Sequence, residues 1–201
     1  MKFKKIFATL LVAVCAFMLV GCGQMNAKEA VQSSVSSSTE IQTTATDVQG
    51  TSFSPSMASS LSATTYSSLT DKIGEVTTAT STLGTTLVSF GNKVLALSTA
   101  ATTFVENYEN YEITEEDVAK LNEYANKLED VKNDLEAKAN ELANKATDLA
   151  SKILESLTNK NLSLDEMFTK VVEIINYTNT KLVSVSETVE NITDVINNYN
   201  A

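Results

Sequence analysis

The chain has 201 residues, with 15 Lys, 25 acidic residues and a formal net charge of −10, and it contains no His, Arg or Trp. A chain this acidic is not expected to bind nucleic acid, because phosphate recognition depends on clustered Lys and Arg. Without His it lacks both the commonest general base and a typical zinc ligand, so we expect no enzymatic activity, no cofactor and no metal site.

The chain begins with a short basic segment followed by an apolar run. Lys2, Lys4 and Lys5 precede the apolar residues 6–20. This order is typical of a secretory signal peptide, and the run is too short to cross a bilayer comfortably as a helix. We therefore predict an exported protein with a signal peptide over residues 1–21.

The end of the apolar run, Leu19, Val20, Gly21 and Cys22, resembles the lipobox of bacterial lipoproteins. The resemblance implies cleavage after Gly21, diacylglycerol on the Cys22 thiol and an acyl chain such as palmitate on the new amine. It also implies anchoring to a bacterial cell membrane or outer membrane. After the signal, 12 Lys face 25 acidic residues, a net charge of −13. Anionic headgroups would repel such a chain, so its acyl chains must hold it at the membrane.

Residues 22–56 are rich in Ser, Thr, Gln and Ala, and their apolar residues follow no obvious period. Gly50 and Pro55 lie near the end of this stretch. Such a composition is typical of a flexible linker. We predict a lipidated, disordered tether with a reach of about 30 Å.

From residue 57 onward the sequence has a heptad period. Apolar residues alternate at spacings of three and four, which indicates a coiled-coil helix over about 57–111. Gly84 and Gly91 lie beside this seam, where the absence of a side chain would let another helix approach closely. The seam positions are Ile73, Val76, Thr80, Leu83, Leu87, Phe90, Val94, Leu97, Ala101, Phe104, Tyr108 and Tyr111.

Two further helices follow, over about 115–157 and 164–199. Thr114 is the predicted N-cap of the first, and Ser163 with Glu166 forms a predicted capping box for the second. The apolar seam of the helix over 115–157 is interrupted by Lys132. We expect the Lys132 stem to snorkel outward while Val131 beside it shares the burial.

The predicted fold is all-α: an elongated antiparallel three-helix bundle or coiled coil over residues 57–201, after a disordered tether. The lipid end and the second turn would share one pole, and the first turn and the C-terminus the other. Pairing of the heptads between chains, in a coiled-coil oligomer, is an alternative.

The first turn carries an unusual group of side chains: Glu106, Tyr108, Glu109, Tyr111 and Glu112. Tyrosines supply contact area and carboxylates supply charge selectivity, so this turn is a candidate tip for contact with an unidentified protein partner. A calcium site is a second interpretation. In the third, the tyrosines simply close the end of the bundle and the acidic residues keep it soluble.

The anchor and the helical character are similar to those of helical surface lipoproteins such as the spirochaetal ones, and distantly to the murein lipoprotein. The sequence therefore predicts a non-enzymatic, lipid-anchored rod that acts as a surface binding module or an envelope spacer. A membrane-active or toxin-like helical component is the alternative from another class.

Overall fold

The computed structural model describes residues 25–51, 67–156 and 164–201. Within these ranges the chain forms four α-helices and no strand, and the helices pack against one another as an all-α bundle, the predicted class. The helices are α1 (Ala27–Thr51), α2 (Ser67–Asn107), α3 (Glu115–Ser156) and α4 (Asp165–Asn200), with a 3-10 turn at Tyr108–Asn110 between α2 and α3.

Helix α1 lies in the stretch predicted to be a tether, and that prediction is wrong for residues 27–51. The described part of the bundle accordingly has four helices rather than the three expected. The helix does have a seam with alternating spacings of four and three, but small and hydroxyl-bearing side chains occupy much of it. Its buried seam residues are Ala27, Val31, Ser34, Ser38, Ile41, Ala45 and Val48. Residues 22–24 and 52–56 of the predicted tether lie outside the described residues.

The start of α1 has a capping box that the sequence analysis overlooked. The backbone N–H of Glu29 donates to Asn26 Oδ1 at 2.9 Å, and the backbone N–H of Asn26 donates to Glu29 Oε2 at 3.0 Å. Each side chain thus satisfies a backbone donor that the first turn leaves free. No Gly or Pro follows until Gly50, so nothing interrupts the helix.

The four helices alternate in direction along the chain and form a four-sided bundle. Helix α1 lies beside α2 and α3, and α4 lies beside the same two helices. Two contacts at different heights fix each direction. Met25 meets Asn122 and Glu40 meets Lys132, so α1 and α3 are parallel. Thr86 meets Asn179 and Lys93 meets Glu190, so α2 and α4 are parallel. Helices α2 and α3 are consecutive in the chain but lie on a diagonal. The 3-10 turn therefore crosses the end of the bundle.

Gly84 and Gly91 of α2 lie beneath two glutamine side chains of α1. The Nε2 atom of Gln49 lies 2.5 Å from the place where a Cβ on Gly84 would stand, and Gln42 Nε2 lies 2.7 Å from the equivalent place on Gly91. The spacing of seven on both helices, in opposite chain directions, makes this pair antiparallel. The atoms within 4 Å of both glycines belong to Gln side chains of α1 and none to its backbone, so the expected close approach is seen for side chains of α1 only.

These glycines lead to a matched stability test. Gly74 also lies within α2, with nothing within 4 Å of its would-be Cβ. Gly74→Ala is therefore expected to stabilise the protein by up to about 1 kcal/mol, the difference in helix propensity. Gly84→Ala should gain less, because Gln49 must move aside. Urea unfolding of the two variants measures the difference, and equal gains would contradict the position of the Gln49 side chain over Gly84.

The predicted seams of α2, α3 and α4 are buried as expected along most of their length. The half-buried exceptions are Ile73, Thr80, Tyr108 and Tyr111 in the first seam, Val118, Ala139 and Ala146 in α3, and Tyr199 in α4. Lys132 departs from the expectation. Its side chain is buried rather than directed to solvent, because its Nζ lies 2.5 Å from Glu129 Oε1 and 3.5 Å from Glu40 Oε2. Val131 is buried beside it, as expected. Two carboxylates at the edge of the α1–α3 contact thus pair with an ammonium group that would otherwise be hydrated.

The predicted cap of α3 is confirmed, and that of α4 involves a residue outside the described part of the chain. The backbone N–H of Asp117 donates to Thr114 Oγ1 at 3.1 Å, as an N-cap requires. Helix α4 begins at Asp165, so its N-cap position is Leu164, which makes no side-chain cap hydrogen bond. The predicted cap residue Ser163 lies outside the described residues.

The extra helix also determines the end of the bundle at which the first described residue, Met25, lies. Met25 lies beside Asn122 in the first turns of α3, at the end that holds the first turn and the C-terminus. The lipid end was predicted at the opposite pole; Cys22 itself lies outside the described residues, and Met25, three positions later, lies at the pole of the first turn and the C-terminus. The difference arises because α1, which was not predicted, runs antiparallel to α2.

Candidate functional site: the tyrosine pole

Four aromatic side chains meet at the end of the bundle where α2 stops and α3 begins. We call this end, defined by Phe104, Tyr108, Tyr111 and Tyr199, the tyrosine pole. The fully buried ring of Phe104 stacks on Tyr111 at 5.5 Å between centroids, and meets Tyr108 and Tyr199 edge-on at 5.8 and 6.0 Å. Three elements, α2, the turn and α4, are joined through this one cluster.

The hydroxyl groups of the pole bind the ends of the helices together. Tyr199 donates to Asp117 Oδ2 at 2.6 Å, and the backbone N–H of Thr114 donates to the Tyr199 hydroxyl at 3.4 Å. Tyr111 donates to Asn200 Oδ1 at 3.1 Å, while Asn200 donates to the carbonyl of Ala100 at 3.0 Å. These bonds favour the interpretation in which the tyrosines close the bundle.

Asn122 fastens the start of α1 to the same pole. The backbone N–H of Met25 donates to Asn122 Oδ1 at 2.9 Å, and Asn122 Nδ2 donates to the carbonyl of Met25 at 2.7 Å. The same Nδ2 also donates to the carbonyl of Val118 at 2.8 Å. Lys28 Nζ lies 5.8 Å from the ring centroid of Tyr108, a cation–π distance. Both backbone groups of Met25 are therefore held by one side chain.

Asn122 was not among the predicted site residues, although one feature of the sequence pointed to it. It follows the seam residue Leu121 in a helix otherwise rich in Ala, Leu, Glu and Lys. An Asn within a helix competes for backbone hydrogen bonds, so its position at the edge of a seam indicates a partner outside its own helix.

The five residues of the predicted tip do lie at one end, but in two different settings. Tyr108 and Tyr111 are half-buried in the aromatic cluster, while Glu106, Glu109 and Glu112 are exposed. The tyrosines therefore offer only part of their surface to a partner. Within the described residues no group of three His, Cys, Asp or Glu side chains could hold a metal ion. Leu19, Val20, Gly21 and Cys22 lie outside the described residues.

A second hydrogen-bonded group joins α3 to α4 at mid-length. Asp134 accepts a hydrogen bond from the Tyr177 hydroxyl, and it forms an ion pair with Lys181, whose Nζ lies 3.0 Å from Asp134 Oδ2. Lys181 also lies 5.1 Å from the centre of the Tyr177 ring. The hydrogen bond from Tyr177, followed by that from Lys181, holds the pKa of Asp134 below its ordinary value.

The pKa of two further carboxyl groups is also lowered. The hydrogen bond from Tyr199 lowers the pKa of Asp117. Burial of the Tyr199 hydroxyl, followed by its hydrogen bond to Asp117, raises the pKa of Tyr199. At Glu129, burial acts to raise the pKa, but hydrogen bonds from Lys132 and Ser37 outweigh it and the net shift is downward. The carboxyl groups of Asp117 and Glu129 are therefore more acidic in the folded chain than in the unfolded one.

These shifts give the stability of the bundle an acid dependence. A carboxyl group with a lowered folded pKa stabilises the fold above its unfolded pKa of about 4, and that contribution is lost as the pH falls through the folded pKa. Tyr199→Phe removes the main cause at Asp117, so we expect a smaller loss of stability between pH 4 and pH 2, as a rough window. Tyr108→Phe, in the same aromatic cluster, is the control and should keep the original acid dependence. Unfolding by urea at a series of pH values measures both, and identical profiles would contradict the role of the Tyr199–Asp117 bond.

The outer face of α2 differs from the other surfaces because its exposed positions within residues 76–105 carry no charge. Thr77, Thr82 and Thr99 donate their hydroxyls to the carbonyls four residues earlier, which leaves their methyl groups outward. Val88 and Leu95 are 68% and 64% exposed on this helix. A shallow cleft of about 220 Å³ lies beside it, lined by Asn92, Lys93, Ala96, Glu190, Thr193 and Asp194.

No described helix is both long enough and apolar enough to cross a membrane. Comparison with known proteins gave no match: no family model, no curated protein and no solved structure is significantly similar to the chain.

Proposed function

We propose that this protein is a lipid-anchored lipoprotein of the bacterial cell envelope, without enzymatic activity, in which a helical rod acts as a spacer or displays a binding surface. The observation that carries the proposal is the sequence Leu19-Val20-Gly21-Cys22 at the end of a basic and apolar leader. It resembles a lipobox in its residues and in its distance from the start of the leader.

The geometry of the described helices supports the spacer form of the proposal. Helix α2 has 41 residues and α3 has 42, so each is about 60 Å long at 1.5 Å per residue. Their seams are filled by side chains of the same chain, which favours a rod built from one molecule over heptads that pair between chains. The binding-surface form would use the exposed carboxylates of Glu106, Glu109 and Glu112, because exposed charge steers association with a basic partner.

The two cysteines of the chain provide the test and its control. Both lie in or next to the leader, and only Cys22 has the lipobox position. In a bacterial host, Cys22→Ser is expected to abolish incorporation of a labelled fatty acid and to release the protein from the membrane fraction, because the thiol that carries the lipid is lost. Cys15→Ser should leave both unchanged. Mass spectrometry of the wild-type N-terminus should find an acylated Cys22, and an unmodified residue there would contradict the proposal.

A further inference from the structure

We infer that the tyrosine pole is the end of the bundle that faces the lipid surface, and that the end bearing Thr51, Ser67 and Ser156 faces away from it. The inference rests on the proposed lipidation of Cys22, and it adds the orientation that the bundle takes. It reverses the arrangement in which the acidic, tyrosine-bearing turn is a distal tip.

The first step is the fixed position of Met25. Asn122 holds its backbone N–H at 2.9 Å and its carbonyl at 2.7 Å, and the capping box of Asn26 and Glu29 follows at once. The start of α1 is thus bound to the first turns of α3. A force applied to the chain before Met25 would therefore act on the tyrosine pole.

The second step is the length of chain available before Met25. Three residue steps separate Cys22 from Met25, and even a fully extended chain covers only about 10 Å in that distance. From Asn122 to Ser156, α3 rises about 50 Å along its axis. A lipid on Cys22 can therefore lie close to the tyrosine pole but cannot reach the other end.

The third step is the choice between a bundle that stands and one that lies on its side. The side with the fewest charges is the outer face of α2, where Val88 and Leu95 are the exposed large apolar residues. A helix that lies in a membrane interface has a broad apolar face flanked by Lys or Arg, whereas this face has two exposed large apolar residues, and Lys93 at its edge is paired with Glu190. The pole also carries the exposed carboxylates of Glu106, Glu109 and Glu112, so headgroup repulsion does not distinguish the two arrangements, and the choice rests on the absence of a broad apolar side. We therefore expect the bundle to stand on the tyrosine pole.

The orientation is testable by energy transfer from single positions to the lipid surface. Lipidation consumes the Cys22 thiol, so a cysteine introduced on the surface is the sole reactive one in the processed protein. Donor dyes are placed at the exposed positions Asn110 at the tyrosine pole, Ser89 on the outer face of α2 and Ser151 near the other end. Each full-length, lipidated variant is bound to phosphatidylcholine vesicles that contain a small fraction of lipid with an acceptor dye on its headgroup.

We expect strong transfer from Asn110→Cys, weaker transfer from Ser89→Cys and near-complete loss of transfer from Ser151→Cys. Equally strong transfer from Ser89→Cys and Asn110→Cys would mean that the bundle lies on α2. It would overturn the orientation and leave the lipid anchor unaffected. Stronger transfer from Ser151→Cys than from Asn110→Cys would have the same consequence. Failure of the wild-type protein to float with the vesicles would overturn both the lipid anchor and the orientation.

Discussion

Phe104→Ala is expected to destabilise the bundle by about 3–5 kcal/mol, the range for removing a fully buried aromatic side chain. The ring is fully buried and contacts three tyrosines, so its loss leaves a cavity between α2, the 3-10 turn and α4. The measurement is the free energy of unfolding in urea, with circular dichroism at 222 nm as the signal for the helices.

The control is Leu95→Ala on the same helix. Leu95 is 64% exposed, and surface substitutions away from special features usually change stability by less than about 0.5 kcal/mol. A small effect of Phe104→Ala, comparable with the control, would mean that the tyrosine pole is not a packed end of the bundle.

Ile41→Asp is expected to release α1 from the bundle, at a cost of about 3–5 kcal/mol for a buried charge without a partner. Ile41 is fully buried in the seam of α1, a helix with few large apolar residues to compensate for the charge. Helix α1 can leave while α2, α3 and α4 retain much of their mutual contact, so the effect should be local. Hydrogen exchange followed by mass spectrometry should show loss of protection over residues 27–51, with protection retained over α4.

Thr43→Asp is the matched control, because it adds the same charge to an exposed position two residues away. It should leave the exchange of α1 unchanged. If the wild-type residues 27–51 exchanged as fast as an unfolded peptide, or if Ile41→Asp had no effect on them, α1 would not be part of the bundle.

The seams of α2, α3 and α4 were predictable because Leu, Val, Ile and Phe mark the buried positions at heptad spacing. Helix α1 has the same spacing, but Ser34 and Ser38 stand in its seam. The Ser34 hydroxyl donates to the carbonyl of Ala30 at 2.8 Å, so burial leaves that donor satisfied. A count of apolar residues cannot detect a seam of this kind. The capping residues Asn26 and Glu29 were the feature of the sequence that indicated the start of a helix here.

The candidate site was predicted in its location and misjudged in its geometry. The tyrosines and acidic residues of the turn do meet at one end, because a helix period and a short connection place them there. The contacts of Tyr199 with Asp117, and of Asn122 with Met25, join residues more than 80 positions apart. Such pairings depend on which helices become neighbours, and the overlooked helix changed that arrangement. The resemblance of residues 19–22 to a lipobox rests on a linear motif, so it could be noticed without knowledge of the fold.

The central claim is that residues 27–51 pack as a helix whose start lies at the tyrosine pole. The most direct test is the distance between spin labels in a chain that begins at Gly23 and has Cys22 removed. One label replaces Asn26, and the second replaces either Asn110 or Ser151. We expect a narrow, short distance for the first pair and a separation of about 45 Å for the second, from the rise of α3 beyond Asn122. Broad distributions for both pairs, or a shorter distance to Ser151 than to Asn110, would contradict the account.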